Sequence, residues 1–354
     1  MAYTTAYTSA FELKSFDFQG VIHEDVMDDL FNIDPVDLPF MDMCGRESSS
    51  NPYKSWVQEW LAPPNINNMI VEGAKAGDPA AFDMKRIGNH HQISEKVVMV
   101  SDRANAVDNI GYGERLAHEL MVRQKELKRD MEAILLSPKG SVEMVTSASL
   151  GAAVAGETAG APAMIHDNNS DGATTGNFAN GIFPDVSGLA ASRALTETLI
   201  RNMDETCYTA GGEPTILMST PKMIRGISEY LFTASARIAT LMSDANNRDG
   251  KYGKQGVTAI GAVNIFTSDY STLELVPNRF QQSYNNAGTL NVDVFLFDPR
   301  YWAVSYLQGI ETHPLAREGS AERRQITVDY TLMCMAQKSS GVICGINPAL
   351  AVTA

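Results

Sequence analysis

The strongest constraint on this chain is one apolar stripe between positions 113 and 136. Leu116, Leu120, Leu127, Met131, Ile134 and Leu135 recur at helical intervals there. Such spacing puts all six on one face of an α-helix. The pattern predicts a helix over 113–136, about 36 Å long at 1.5 Å per residue, and Lys139-Gly140 ends it. Glu119, Arg123, Glu126, Arg129, Asp130 and Glu132 fall on the other face and are expected in solvent. A stripe of this length needs a second layer to cover it.

The remainder supplies strands for that layer. Arg86–Ile93, Val97–Ser101, Thr215–Met218, Val263–Phe266, Leu273–Val276 and Asn291–Phe297 read as strands. So do Trp302–Leu307, Ile326–Met335 and Gly341–Ile346. Gly188–Asp204 reads as a second helix, and Pro221 opens a third, with Ser219 or Thr220 before it as cap. Helices followed by many strands imply an α+β protein. Residues 147–187 are rich in Gly, Ala, Ser and Asn and read as an insertion or long loop.

Two segments lack a core of their own. Residues 1–46 carry nine acids against Lys14 and Arg46, yet include Phe11, Phe16, Phe18, Phe31 and Phe40. Asp34-Pro35 and Leu38-Pro39 favour extended or turn backbone. The segment is too apolar for a free tail and too broken for a domain, so it reads as an arm lying along another surface. Residues 47–108 read as an excursion of paired strands bearing Trp56 and Trp60. Segments that cannot bury their own apolar residues imply a partner.

Charge and motifs exclude several classes. The formal net charge of −14 disfavours gripping nucleic acid through the bulk surface. No apolar run reaches about 18 residues, so no membrane helix is expected. The first residues lack a basic start followed by an apolar stretch, so no signal peptide is expected. Cys44, Cys207, Cys334 and Cys344 form no C-x-x-C pair and read as reduced, buried thiols. Cys334 and Cys344 stand where paired strands would bring them together. Asp167–Gly172 matches half of a calcium loop, but Phe178 stands where the bidentate Glu belongs. Gly250–Gly256 lacks the phosphate-loop order, and no G-x-S-x-G elbow is present. His90 and His91 are adjacent and point to opposite faces of a strand. No cofactor or metal is expected.

The order of motifs resembles the major capsid proteins of tailed bacteriophages with the Hong Kong 97 fold. Ile33–Phe40 resembles their arm motif, and Tyr53-Lys54-Ser55-Trp56 with Glu59-Trp60-Leu61 their aromatic element. Glu72-Gly73, then Arg86, Asn89, Gln92 and Ile93, then the Leu127–Glu132 run follow in the family's order. The matches cover about residues 30 to 136; the C-terminal half agrees in pattern only.

The resemblance implies an N-arm over 1–46, an E-loop over 47–108 and a P-domain spine helix within 109–146. It further implies an A domain over 188–300 and returning P-domain strands over 301–354. It implies a non-enzymatic subunit that self-assembles into pentamers and hexamers of an icosahedral shell around double-stranded DNA. Separate scaffolding, a portal and a decoration protein are the expected partners, with no membrane. The expected location is the virion, after assembly in the host cytoplasm. Phe40, Trp56, Trp60, Arg86, Arg317, Arg323 and Arg324 are the candidate assembly contacts. Some relatives join subunits through a Lys–Asn bond, but nothing marks Lys54, Lys75, Lys85 or Lys96 as reactive. The alternatives are an encapsulin-type compartment shell and, in another class, a soluble hydrolase with an unrecognised site.

The acidic balance gives a direct test. The unassembled subunit is expected to bind duplex DNA more weakly than about micromolar at physiological salt, measured by gel shift. Micromolar binding would contradict it.

Overall fold

The computed structural model describes residues 30–77, 83–107, 111, 113–146, 153–170, 178–186, 192–231, 264–286 and 289–353. The glycine-rich 250–256 segment and the first 29 residues lie outside them. The described chain enters through α1 (Pro39–Met43) and β1 (Gly45–Ser48). It runs out along β2 (Tyr53–Trp60), back along β3 (Asp83–His90), and turns at His91 into β4 (Gln92–Ser101). A short α2 (Asp102–Ala106) leads to α3 (Arg115–Leu135). Then come α4 (Ala161–Met164), β5 (Asn169–Ser170), α5 (Glu197–Thr209), β6 (Ile216–Ser219) and α6 (Pro221–Leu231). The chain closes with β7 (Ile265–Thr267), β8 (Thr272–Pro277), β9 (Tyr284–Asn286), β10 (Thr289–Phe297), β11 (Trp302–Pro314), β12 (Ala321–Cys334) and β13 (Gly341–Ile346).

The stripe forms α3 as its spacing requires. Leu116, Leu127, Met131 and Leu135 are buried, while Leu120 packs partly buried against the same core. The covering layer is a four-stranded sheet in the order β1-β11-β12-β4. Val98 and Val100 of β4, with Ile326, Val328, Tyr330 and Leu332 of β12, share a core with that stripe. The helix prediction fails at one residue. Glu132, assigned to the solvent face, is fully buried. The covered face is therefore wider than the apolar stripe, because a second element packs on its flank.

A seven-stranded sheet runs β5-β13-β10-β6-β8-β7, with β9 pairing β10. Its inner strands are buried on both faces. Phe295 and Phe297 of β10 enter the core under α3, whereas Val292, Val294 and Leu296 enter a second core with α5 and α6. Met218 and Leu217 of β6 divide in the same way, as do Val342 and Ile343 of β13. Two-sided burial explains why Val294–Phe297 reads as a continuous apolar run.

Several expectations are revised. The second helix begins at Glu197, because the Thr196 hydroxyl accepts from Leu199 N–H (3.2 Å) and caps it there. Arg193, before that cap, and Thr196 itself form isolated parallel bridges to Ile346 and Thr353. Cys334 and Cys344 do not meet on paired strands: β12 belongs to the four-stranded sheet and β13 to the other. For the same reason 301–354 does not form one group of strands. Residues 153–170 and 178–186 are not a loose loop, since Ala159, Ala161, Ala163, Met164, Ile165 and Phe183 lie in the main core. Small side chains there permit close backbone contact; a Cβ on Gly160 would collide with the Ser137 carbonyl.

Leu127 is completely buried at the centre of α3. Leu127→Ala is expected to cost about 2–5 kcal/mol of subunit stability, measured by denaturant unfolding of unassembled protein. A change below about 0.5 kcal/mol would show that the stripe is an interface rather than a core.

Candidate assembly surfaces

The arm is fastened by one carboxylate. α1 begins Pro39-Phe40-Met41, and its cap position is Leu38, which has no side-chain acceptor for the first free N–H groups. Glu132 of α3 supplies the missing acceptor. Phe40 N–H donates to Glu132 Oε1 at 2.8 Å, and Met41 N–H donates to Oε2 at 2.9 Å. Asn278 Nδ2, just after β8, donates to Oε1 at 2.7 Å. Burial pushes this carboxyl up from the ordinary carboxylate range, and the three N–H donors oppose that push. The Phe40 ring then packs against Phe297 and Trp302, with centroids 5.1 and 5.9 Å away.

The β2–β3 ribbon is fixed at its root. Asn89 is fully buried: its amide donates to Leu332 O and Thr158 Oγ1 (both 2.9 Å), and Ala159 N–H donates to its carbonyl (3.0 Å). Both His91 N–H and His91 Nδ1–H donate to Pro52 O at 2.9 Å, tying the two strand roots together. Burial pulls the His91 pKa below the ordinary histidine value. Gln58 Nε2 donates to Met335 O at 2.7 Å, and Tyr53 OH to Gly181 O at 2.9 Å. Gly88 is required where it stands, because a Cβ would lie 2.7 Å from Lys54 O.

Beyond that root the apolar residues are bare. Leu61 is 87% exposed, Ile66 89% and Ile70 84%. In the arm before α1, Phe31 is 80% and Ile33 99% exposed. A third exposed set, Ile93, Val97 and Met99, lies on the outer face of β4, at the sheet edge.

The expected contact residues divide. Phe40 is fully buried within the subunit and has no surface to offer a neighbour. Trp56 packs on the subunit's own main core. Trp60 is half-buried in a groove with Lys85, His166 and Lys338. Arg86 lies on the ribbon and donates to Ser55 Oγ from Nε (3.1 Å) and Nη2 (2.9 Å). Arg317, Arg323 and Arg324 gather at the β11–β12 turn, each beside an acid of its own subunit: Asp102 (3.0 Å), Glu318 (2.8 Å) and Glu322 (2.7 Å). The sequence reading gave Glu132 and Asn278 no structural role and named Asn89 only as part of a family motif. Glu132 sits about 60° around the helix from Leu135, which is the one trace of its burial in the sequence.

Burial pushes the Cys207 thiol up to about 12 and raises Cys44 and Cys334, so none offers a thiolate near neutrality. Asn168 of the half-matched calcium loop donates to Lys338 O at 2.7 Å and Ser340 O at 3.2 Å, which is a structural role. Among the described residues, no group of three or more His, Cys, Asp or Glu could hold a metal. No helix there is long and apolar enough to cross a membrane.

A family model described as SU10 major capsid protein matches residues 2–347. The chain belongs to the SU10 major capsid protein family. Within curated proteins, the major capsid protein of Escherichia phage Phieco32 is 28% identical over 345 residues, covering 88% of this chain and 90% of that one. Solved structures share the fold at low identity. The cyanophage A-1(L) capsid protein is 13% identical, with a TM-score of 0.58 over 92% of this chain and 97% of that one. The SrpI encapsulin of Synechococcus elongatus is 12% identical, with a TM-score of 0.51 over 94% of each chain. The SU10-family chain is thus an α+β, Hong Kong 97-type capsid protein: structural, self-assembling and located in the virion.

The Glu132 clamp is testable in this setting. In Glu132→Gln one of the two oxygens becomes an NH2 group, which faces an N–H donor instead of accepting from it. The substitution is expected to cost about 1–3 kcal/mol and to speed proteolysis near α1. An unchanged unfolding midpoint would show that the arm is held by Phe40 packing alone.

Proposed function

We propose that the chain is the shell subunit of a tailed bacteriophage, building pentamers and hexamers that enclose double-stranded DNA. The observation that carries this is a ribbon whose root is hydrogen-bonded to the body through Gln58 and Asn89 and whose tip is apolar and bare. An isolated subunit has no stabilising reason to hold Leu61, Ile66 and Ile70 in water. A neighbouring copy that covers them supplies one. In the family's terms, residues 1–46 act as the N-arm and the ribbon within 47–108 as the E-loop. α3 with the four-stranded sheet forms the P domain, and the seven-stranded sheet with α5 and α6 forms the A domain. This reading takes β4, which pairs with β12, into the P domain, and β13, which pairs with β10, into the A domain.

Trp60 and Arg86 on the ribbon, and Arg317 and Arg323 at the β11–β12 turn, remain contact candidates. Arg324 at the same turn, paired with Glu322 as Arg323 is with Glu318, is a candidate on the same footing, while Phe40 and Trp56 pack on the subunit's own core. Scaffolding, portal and decoration proteins, with assembly in the host cytoplasm, complete this reading. The encapsulin likeness supports a second, a compartment shell around a cargo; the family match and the phage relative favour the viral one.

Purified protein examined by gel filtration and negative-stain imaging tests the proposal. Burying an isoleucine contributes about 1.5–3 kcal/mol. Ile66→Ser with Ile70→Ser is therefore expected to lower shell yield by about tenfold or more. The unassembled subunit should keep its melting temperature, because exposed substitutions cost within about 0.5 kcal/mol. Shells formed in wild-type yield would refute the role of the tip. Particles enclosing protein cargo and no DNA would favour the compartment reading.

A further inference from the structure

The exposed side of α3 carries more positive charge than its own acids can neutralise. Each carboxylate within the helix already has a partner. Glu119 faces Arg115 at 3.9 Å, Glu126 pairs with Arg123 at 2.6 Å, and Asp130 pairs with Lys96 at 2.6 Å. Glu132 is buried under the arm. Lys125 and Lys128 are exposed and have no carboxylate partner among the described residues. They share a helix face with Arg129, three and four residues from Lys125. Arg129 stacks over the Phe280 ring, 5.0 Å from its centroid, and the adjacent Arg279 is exposed. Lys125, Lys128 and Arg129 make one strip along the C-terminal half of α3, and the Arg129–Phe280 contact brings the backbone of Arg279 beside it.

That strip lies beside the point where the arm is fastened. Lys128 and Lys125 are about 6 and 10 Å along the axis from Glu132, whose carboxylate holds Phe40 and Met41. Upstream of that anchor the sequence reads Glu24-Asp25-Val26-Met27-Asp28-Asp29, with four acids in six positions. These residues lie outside the described ones. Ten residues lie between Asp29 and Phe40, a tether of up to about 36 Å. A short tether gives an effective concentration of about millimolar, which favours a segment of the same chain over any free polyanion.

We propose that Glu24, Asp25, Asp28 and Asp29 dock on the strip formed by Lys125, Lys128 and Arg129 of the same chain, with Arg279 beside it. Docking gives the arm a path along α3 and withholds the strip from nucleic acid. It requires only that Glu132 anchor the arm, and stands whether or not the shell reading holds.

The test uses the unassembled full chain. Zero-length carbodiimide coupling joins a carboxylate to a lysine amine only when the two touch. Mass spectrometry is expected to find residues 24–29 coupled to Lys125 or Lys128, at a yield unchanged by dilution. In a mixture of isotopically heavy and light subunits, heavy–light pairs should be absent. Predominant heavy–light pairs would assign the strip to a second copy and overturn the same-chain proposal, as would the absence of any 24–29 coupling. Gel shift with duplex DNA gives an independent readout. The Glu24→Gln/Asp25→Asn/Asp28→Asn/Asp29→Asn variant is expected to bind at least about tenfold more tightly than wild type at low salt. Adding Lys125→Glu/Lys128→Glu should abolish that gain. Equal DNA affinity of the neutralised variant and wild type would also overturn the proposal.

Discussion

The Glu132 carboxylate is the interaction on which the arrangement of the subunit depends. A carboxylate taken out of water is costly unless its oxygens accept strong hydrogen bonds. Here it accepts from two backbone groups of α1 and from Asn278, so that with α3 three segments far apart in sequence meet at it. The same atoms solve a second problem, because the free N–H groups opening α1 have no acceptor at Leu38. The burial of each group is acceptable only in the presence of the other. Their meeting fixes where the arm leaves the body and brings the end of β8 against α3.

From that point the molecule separates what is finished from what is left open. Two cores share the inner strands of one sheet, so the body is complete within a single copy. The ribbon root is tied down as well, through Asn89, His91 and Gln58. The arm, the ribbon tip and the outer face of β4 have no such closure. Rigidity at the root and bareness at the tip suit a part that presents an apolar end to a neighbour, since little ordering cost remains at contact.

What was legible in the sequence follows from that division. α3 could be read because an apolar stripe of one period has a single geometric meaning, and most of the strands because alternation or continuous apolarity does. The bare ribbon could be read because Trp56 and Trp60 lacked an evident core. Trp56 nevertheless found one in its own subunit, as did Phe40, because sequence spacing carries no information about which distant surface a ring meets. Glu132 was misplaced for the same reason: helical periodicity describes one helix and its own stripe, and the element covering the flank comes from 92 residues away. The small residues around Gly160 looked like a loose loop, yet they are small because another backbone passes against them.

The pairing of distant strands also sets an order in time. β1 finds its sheet partner only when Ala303–Tyr306 exist, and β4 only when residues 321–330 exist. β10 lies between β6 and β13, so the second sheet waits for Ile346. A chain emerging from the ribosome must therefore hold its arm and ribbon without a body to stand on until residues 303–346 are made. The bare tip gains a fixed position only then, so a growing chain cannot join a shell before its own interior is closed.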